Sequence, residues 1–293
     1  LMIASMATFT CNDAVIKAVT QTLPLYESVA IRGAAVLAMM VAVAQIQQGG
    51  LRLSVARQDR WPLVLRTAAD IVSTVLYLLA LRKMALADLS AIMQALPLAI
   101  VLGAALFLNE PVGWRRWSAI VVGFLGVLMV IRPGLAGFQP VSLMAVLAVV
   151  GLAARDIATR RVPAHIHSDQ LAALAFLAIL IASVLMGWVL GQEFVMPSAR
   201  QSLLFLACMT VGVGGYALLV TATRLGEASA LAPYRYVRLV FALVLAWLVF
   251  DEHPDALTML GAGVIVASGC YMMWRETVLR RRPSKGAGLA PAE

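Results

Sequence analysis

The chain has 293 residues, of which 62% are hydrophobic and only 13% charged, and its mean hydropathy is +0.89. A water-soluble domain has roughly 45–50% apolar and about 25% charged residues. This composition therefore leaves too few polar side chains to cover a water-facing surface, and it excludes a soluble enzyme or a DNA-binding domain as a first interpretation. The net charge of +8 fits the excess of Lys and Arg that membrane proteins place in cytoplasmic loops.

Apolar stretches recur along the chain, separated by polar residues or by Gly and Pro. A membrane-spanning helix needs about 20 residues. The stretches predict ten such helices, at 1–22, 24–46, 61–82, 87–108, 115–131, 139–161, 169–190, 199–224, 228–250 and 255–275. The first stretch lacks a basic start and carries Asn12, Asp13 and Lys17, which disfavours a cleavable signal peptide. Residues 276–293 are basic and then rich in Gly, Pro and Ala, which predicts a solvated tail.

The distribution of Lys and Arg predicts the orientation of the chain in the membrane. When the N-terminus is placed in the cytoplasm, thirteen of the 23 Lys and Arg residues fall in inner segments, four in outer segments and six inside predicted spans. Because cytoplasmic loops carry the excess of positive residues, both termini are expected in the cytoplasm.

The pattern of spans repeats once. Asn109-Glu110 closes the fourth span and Asp251-Glu252 closes the ninth, 142 residues later, and one apolar span follows each pair. The repeat predicts two five-helix units, 1–133 and 139–275, followed by the tail 276–293. Since five is odd, the second unit enters the membrane inverted. Inverted repeats of this kind place a substrate cavity between their halves.

Two runs within these units resemble the signature of the EamA-type drug/metabolite transporters. Residues 87–111 contain Pro97 and end on Asn109-Glu110-Pro111, and residues 226–254 contain Pro233 and end on Asp251-Glu252 and Pro254. The resemblance implies a ten-helix secondary transporter of a bacterial inner membrane with a central cavity lined by both halves. Within the superfamily the chain is most similar to exporters of aromatic and neutral amino acids. Other members carry sugar phosphates, nucleotide sugars, riboflavin, S-adenosylmethionine or small multidrug cations.

Charged residues inside the spans are candidate functional residues, because a charge at the bilayer centre costs about 2.5–3.5 kcal/mol on insertion scales. Asp13 lies eight residues before the outer end of the first span, and Arg32 lies eight residues into the second. The two are expected at one depth as an ion pair. In the alternative, Asp13 and Asn12 face the cavity and bind an ammonium group or a proton. Lys17, one turn from Asp13, is a further possible partner.

Two charges near the inner end of the third span have the spacing of a local pair. Arg66 and Asp70 are four residues apart and share one helix face. Tyr77 lies two turns beyond Asp70, nearer the membrane centre, and is a candidate cavity residue.

The sixth span carries Arg155 and Asp156, which point about 100° apart on a helix and so do not fit a local pair. Arg155 corresponds to Asp13 under the shift of 142 residues. Inverted symmetry would bring both toward the centre, which makes Arg155 a candidate cavity residue. The alternative is an ion pair with Asp70 or Asp156.

The ninth span contains an unusual polar run, 234–238, directly after Pro233. Arg238 lies near the midplane and shares a helix face with Arg235, with Tyr234 nearby. An Arg side chain offers a planar donor fork that suits a carboxylate or a phosphate. Substrate binding is the functional interpretation. The alternative is an ion pair with Asp70 or Asp156, or an Arg235 side chain that extends toward the inner membrane surface.

The remaining candidates are neutral. Gln94 in the fourth span and Tyr216 in the eighth complete the predicted cavity. Pro97, Gly214 and Pro233 are candidate kinks or flexible points for gating. Close helix contact is the alternative interpretation of the glycine.

Glu110 and Glu252 close spans at opposite membrane faces. Both lie at helix C-termini, where the helix dipole disfavours a negative charge. We expect them to bond loop backbone or to cap a neighbouring helix, with gating as the alternative.

The charges inside the spans indicate a class of substrate. Six are positive and three are negative, and unmatched buried charge is costly. The excess disfavours a pump for cations and favours a substrate with a carboxylate, such as an amino acid. The alternative is an organic-anion or sugar-phosphate exchanger, which needs only the arginines.

Other chemistry is disfavoured. Cys11, Cys208 and Cys270 lie in apolar stretches without metal-ligand or redox spacing, and His165, His167 and His253 lie in loops. The sequence predicts no enzyme, no metal site and no cofactor. The expected partners are a small-molecule substrate and the lipid bilayer, with no nucleic acid, and one chain can build the cavity as a monomer.

Overall fold

The computed structural model describes residues 1–48, 60–135, 138–162, 166, 168–191, 194–225 and 231–280. Within these ranges the fold is all-helical, without strands. The helices are α1 (Met2–Thr20), α2 (Leu25–Gln48), α3 (Arg60–Lys83), α4 (Leu86–Met93), α5 (Leu96–Phe107), α6 (Trp114–Ile131), α7 (Ser142–Thr159), α8 (Ser168–Val189), α9 (Ala199–Leu225), a 3₁₀ turn (Ala232–Tyr236), α10 (Val237–Phe250) and α11 (Ala256–Arg280).

Seven helical stretches in the described ranges are long and apolar enough to cross a membrane. They are Trp61–Lys83, Leu86–Phe107, Trp114–Ile131, Ser142–Thr159, Ala199–Thr223, Pro233–Phe250 and Ala256–Arg275. Three further predicted spans coincide with α1, α2 and α8. The apolar part of α8 covers Ala173–Val189.

Two predicted spans are interrupted in the structure. The span predicted at 87–108 is two helices, α4 and α5, separated at Gln94 and Ala95, with Pro97 in the first turn of α5. The span predicted from residue 228 contains the 3₁₀ turn around Pro233 before α10 begins, and its first residues lie outside the described ranges. A proline has no N–H to donate and its ring clashes with the preceding turn, so the helix breaks next to each one.

The last helix runs further than predicted. α11 continues to Arg280, five residues into the segment expected to be a tail, and residues 281–293 lie outside the described ranges. Residues 275–280 contain no Gly or Pro to end the helix.

Helices from the first part of the chain pack on helices from the second. The main pairs are α1 with α9, α2 with α8, α3 with α7 and α6 with α11, and α4 packs on α10. The bundle has two ends. We call the end at which α1 begins the N-terminal end, and α5 ends and α6 begins at the same end. The opposite end is where α1 ends, α4 begins and α10 ends.

Ion pairs also join the two parts. Five pairs between described residues link a residue before 133 to one after 150: Asp13–Arg238, Lys17–Glu252, Asp70–Arg155, Glu110–Arg160 and Arg132–Asp255. The last lies in the loop before α11, where Arg132 and the backbone N–H of Thr258 hold the pKa of Asp255 down at about 2.

Exposed tryptophans lie toward the helix ends. Trp61 begins α3, Trp114 begins α6, Trp188 lies near the end of α8 and Trp274 lies in the last turns of α11, and all four are largely exposed. Amphipathic aromatic rings concentrate at the level of the lipid headgroups. These positions therefore fit a helix bundle that spans a bilayer.

The contact between α6 and α11 depends on two facing glycines. A Cβ atom added to Gly126 would lie 2.8 Å from the carbonyl oxygen of Gly261, and one added to Gly261 would lie 2.7 Å from that of Gly126. Both distances are shorter than real Cβ contacts allow. Without a hydrophobic driving force between helices in lipid, such close backbone approach supplies much of the packing energy.

We predict that Gly261→Val destabilises the folded protein by about 1–3 kcal/mol, because the helices must separate to admit the side chain. Gly263→Val on the same helix is the matched control, since a Cβ at Gly263 meets nothing within 4 Å. Thermal unfolding of the purified proteins in detergent measures both. Equal melting temperatures for the two variants would contradict the packing argument.

Candidate functional site

A large cavity lies between the two parts of the bundle. Its volume is about 610 Å³, and side chains from α1, α3, α4, α5, α7, α9, α10, α11 and the 3₁₀ turn line it. The cavity reaches from Tyr77 and Arg238 in the middle of the bundle to Met2 and Leu231 near the N-terminal end. This volume is in the range of small-molecule binding sites.

The walls of the cavity differ in polarity. The polar wall is formed by Tyr77, Ser90, Gln94, Arg155, Asp156, Thr223, Arg235, Tyr236 and Arg238. The apolar wall includes four methionines, Met2, Met6, Met93 and Met273. Methionine side chains are flexible and polarizable, so this wall can adapt to apolar groups of different shape.

A partly buried ion pair lies at the deep end of the cavity. The Arg238 guanidinium donates to the carboxylate of Asp13, whose side chain is 9% exposed. Tyr77 lies beside both charges. The sequence suggested Arg32 or Lys17 as the partner of Asp13. In the structure Asp13 pairs with Arg238 instead, because α1 packs against α10 at this level.

A second charge cluster lies in the wall formed by α3 and α7. Arg155 donates from Nε to Asp156 at 2.8 Å and from a terminal nitrogen to Asp70 at 3.2 Å. The long Arg155 side chain thus reaches its sequence neighbour although the two Cβ atoms point apart. Asp70 is not paired with Arg66 as expected. Arg66 donates to the carbonyl oxygen of Leu171.

Arg235 differs from the other cavity arginines. It is exposed, it lines the cavity, and within the described part of the chain it forms no ion pair. It lies in the 3₁₀ turn, where Gln94 donates to the carbonyl oxygens of Arg235 and Tyr236 at 3.5 and 3.2 Å. Gln94 itself lies in the break between α4 and α5, so the two helix breaks face each other across the cavity.

Three predicted cavity residues lie elsewhere. Asn12 is buried and donates to the carbonyl oxygen and the sulfur of Cys208, which ties α1 to α9. Tyr216 and Tyr234 are about half exposed and do not line the cavity. The sequence did not indicate Asp156 or the methionines as substrate-facing residues, because scattered methionines in apolar spans carry no signal of their own.

Of the predicted kink residues, Pro97 lines the cavity and Pro233 lies in the 3₁₀ turn beside it. Gly214 lies in the continuous helix α9 and faces open space. Its neighbour Gly215 makes the close contact, and Ser5 donates to the Gly215 carbonyl oxygen at 2.7 Å.

At the opposite end of the bundle, the Glu252 carboxylate binds two groups. It pairs with Lys17, whose side chain is 4% exposed, and it accepts the N–H of Leu86 at 2.7 Å at the start of α4. Lys17 also donates to the carbonyl oxygen of Met84 at 2.7 Å. These contacts join α1, the start of α4 and the loop that follows α10.

At the N-terminal end, Glu110 makes the corresponding contact. It pairs with Arg160 at 2.8 Å, and about half of each side chain is exposed. Arg161 donates to the carbonyl oxygen of Phe107 at 2.8 Å. The pair at this end is therefore open to its surroundings, whereas the Lys17–Glu252 pair is sealed.

Among the residues that the structure describes, no group of three or more His, Cys, Asp or Glu side chains is placed to hold a metal ion. The cavity instead offers arginines, carboxylates and an apolar wall. It can hold a polar small molecule by charge and accommodate an apolar portion beside it.

A bundle of apolar helices around a charged central cavity is an architecture found in many membrane transporters. The chain belongs to the EamA-like transporter family, whose model matches residues 1–132 and again 139–274. It is a multi-pass membrane protein and not an enzyme.

The chain is similar to transporters with different substrates. It is 30% identical over 182 residues to an S-adenosylmethionine uptake transporter of Rickettsia felis, covering 62% of this chain and 61% of that protein. The alignment therefore spans about three fifths of that relative. The pseudopaline exporter CntI of Pseudomonas aeruginosa is 28% identical over 277 residues, covering 94% and 95% of the two chains. A riboflavin transporter of Vibrio cholerae is 26% identical over 249 residues, covering 84% and 82%.

A known crystal structure shares the fold. It superposes with a TM-score of 0.62 at 20% sequence identity, covering 94% of this chain and 97% of the other. At this identity the likeness supports the fold and not a function.

We predict that Arg238→Gln destabilises the protein by about 3 kcal/mol, because it leaves the Asp13 carboxylate buried and unpaired. The double variant Asp13→Asn, Arg238→Gln removes both charges and should recover much of the loss. Chemical unfolding in detergent, analysed as a double-mutant cycle, measures the coupling. If the losses of the two single variants simply add in the double variant, the two residues do not form an energetic pair.

Proposed function

We propose that the protein is a secondary transporter that exports amino acids, aromatic or neutral, or related small carboxylate metabolites across a bacterial inner membrane. Arg235 carries this proposal. It is a cation in the cavity wall with no ion pair to another described residue, so an anionic group of a substrate can bind it without displacing a protein carboxylate. A charge-assisted hydrogen bond to a carboxylate stabilises the bound substrate by about 1.5–3 kcal/mol.

The other charges suit the remaining parts of an amino acid. Asp156 is about one third exposed and lines the same cavity, where it can accept hydrogen bonds from an ammonium group. Asp13 lies deeper and is engaged by Arg238. The apolar substrate side chain would lie against Tyr77 and the methionines.

A second candidate function is exchange of organic anions or sugar phosphates. The observation that favours it is the charge of the cavity wall, where three arginines face a single lining carboxylate, Asp156. A phosphate binds an arginine fork as well as a carboxylate does. Competition experiments between the two substrate classes separate these functions.

We infer that the fold consists of ten spans in two inverted five-helix repeats, 1–133 and 139–275. The tandem family match supports this division. The helix contacts support it as well. If each helix of one half is replaced by its counterpart in the other half, the contact between α1 and α9 becomes the contact between α7 and α3, and the other main pairs stay the same.

The ends of the fourth and ninth predicted spans support the same repeat at the level of backbone geometry. Asn109 and Asp251 both have φ of 52°, a left-handed conformation. The following N–H of Glu110 donates to Ala104, and that of Glu252 donates to Ala246. Each of these residues in the second half is 142 positions after its counterpart.

Alternating access then follows from two crossed ion pairs. Lys17 of the first half binds Glu252 of the second at the opposite end, and Arg160 of the second half binds Glu110 of the first at the N-terminal end. With the first pair sealed and the cavity reaching toward the N-terminal end, this structure corresponds to a conformation open at that end. In the reverse conformation the Glu110–Arg160 pair would be the sealed one.

The orientation and assembly follow the same proposal. Arg160, Arg161, Arg115 and Arg116 lie at the N-terminal end of the bundle, which the positive-inside rule places in the cytoplasm. Both termini would then be cytoplasmic. All cavity walls come from one chain, so a monomer suffices for transport.

We predict that liposomes containing the protein release labelled phenylalanine or leucine with saturable kinetics, and that Arg235→Gln raises the apparent KM about tenfold by removing the substrate's anionic contact. Arg235→Lys should keep part of the activity, and Arg82→Gln, an exposed change at the opposite end of the bundle, is the matched control. Absence of saturable flux for every amino acid, with flux for phosphate esters, would replace the first function by the second.

We predict that removing the Lys17–Glu252 pair opens the opposite end more often. In a chain without native cysteines, Ser90→Cys places a probe in the cavity, and an impermeant maleimide added from the opposite side should label it severalfold faster when Lys17→Gln and Glu252→Gln are combined. The double change avoids an unpaired buried charge. An unchanged labelling rate would show that this pair does not hold the closed state.

A further inference from the structure

A second cavity lies on the outer surface of the bundle, separate from the central one. Its volume is about 390 Å³, and α3, α5, α6 and α7 form its walls. It shares no lining residue with the central cavity, and Arg161 is its one charged lining residue. The other lining residues are apolar, so the cleft is distinct in chemistry and position from the central cavity.

The cleft is open toward the surrounding membrane. Leu65, Leu106, Phe107 and Val150 line it, and each is about half or more exposed. In a membrane-spanning bundle, exposed apolar side chains at this position face acyl chains. The cleft is therefore a recess in the lipid-facing surface.

Small residues give the recess its depth. Gly103 and Ala154 line it, and a Cβ added to Gly103 would lie 2.2 Å from Ile157. The floor is thus formed by tight packing of α5 against α7, where larger side chains would fill the space. Each methylene group that enters such an apolar recess adds favourable contact with its walls.

The end of the recess carries positive charge. Arg161 lines the recess and is anchored by its bond to the Phe107 carbonyl oxygen. Arg160, Arg115 and Arg116 stand at the same end of the bundle, because α5 and α7 end there and α6 begins there. The one carboxylate shown there, Glu110, is bound to Arg160. Trp114 and Trp117 place the headgroup level at this end.

We infer that the recess is a binding site for an anionic phospholipid. One acyl chain lies against the wall formed by α5 and α7, and the phosphate headgroup lies at Arg161. The charge complementarity selects the anionic headgroup, since each Arg near the membrane surface strengthens binding of an anionic lipid about fivefold. A bound lipid would span α5 of the first half and α7 of the second, the contact that must shift if the two halves move.

The test is the melting temperature of the delipidated protein in detergent with two lipids of identical chains, dioleoyl phosphatidylglycerol and dioleoyl phosphatidylcholine. We expect saturable stabilisation by the glycerol lipid at a concentration several times lower than by the choline lipid. Equal midpoints for the two lipids in the unaltered protein would overturn the inference.

Two variants separate the chain contact from the headgroup contact. Ala154→Phe fills the recess from its lipid-facing wall and should abolish saturable binding, whereas Ala217→Phe on the exposed face of α9 is the matched control. Arg161→Gln should weaken phosphatidylglycerol binding about fivefold and leave phosphatidylcholine unchanged. Arg82→Gln at the opposite end is its control.

Native mass spectrometry of the same variants provides a second readout that does not depend on their stability. The expected result is one phosphatidylglycerol retained by the unaltered protein and by both controls, and none by Ala154→Phe. Retention by Ala154→Phe equal to that of its control would contradict the site. If the unaltered protein binds free oleate as well as phosphatidylglycerol, the recess accepts an acyl chain alone and Arg161 does not bind the phosphate, which would contradict the inference.

Discussion

The cost of placing charges inside a membrane governs this structure. A lone charge at bilayer depth is strongly unfavourable, and the chain meets this cost by pairing charges between its two parts. Asp13 with Arg238, Asp70 with Arg155 and Lys17 with Glu252 each join the first part of the chain to the second. The same contacts that neutralise the charges therefore hold the two parts in register around the cavity.

This arrangement couples stability to function. In the proposed alternating-access mechanism, a pair that joins the two parts is favourable only while those parts are close, so the pairs at the two ends of the bundle would act on the equilibrium between conformations. Burial decides their relative strength. The Lys17–Glu252 pair is shielded and further bonded to backbone groups of Met84 and Leu86, whereas the Glu110–Arg160 pair is half exposed, where an ion pair contributes little. The described conformation is consistent with that difference.

The helix breaks at the cavity have a related origin. Pro97 and Pro233 interrupt α-helical hydrogen bonding and leave backbone carbonyl groups without helical partners. Gln94, in the first break, donates to the carbonyl oxygens of Arg235 and Tyr236, at the second break. Non-helical backbone at membrane depth is tolerated where protein or a water-filled cavity surrounds it. The breaks thus lie beside the polar wall, where they present Arg235 to the cavity.

The sequence by itself determined the class of fold, because hydropathy and the positions of Gly, Pro and polar residues depend only on local composition. It predicted an all-helical membrane protein and the prolines at the breaks. Four residues that it proposed for a cavity, Tyr77, Gln94, Arg155 and Arg238, line the cavity of the structure. It did not determine the partners of the charges. Spacing along one helix or one hairpin suggested Asp13 with Arg32 and Arg66 with Asp70, whereas α1 meets α10 and α3 meets α7 only in the packed bundle. Contacts between residues more than 80 positions apart depend on how helices pack. Only the tertiary structure therefore decided which of these charges neutralise one another. It also decided that Arg235 faces the cavity.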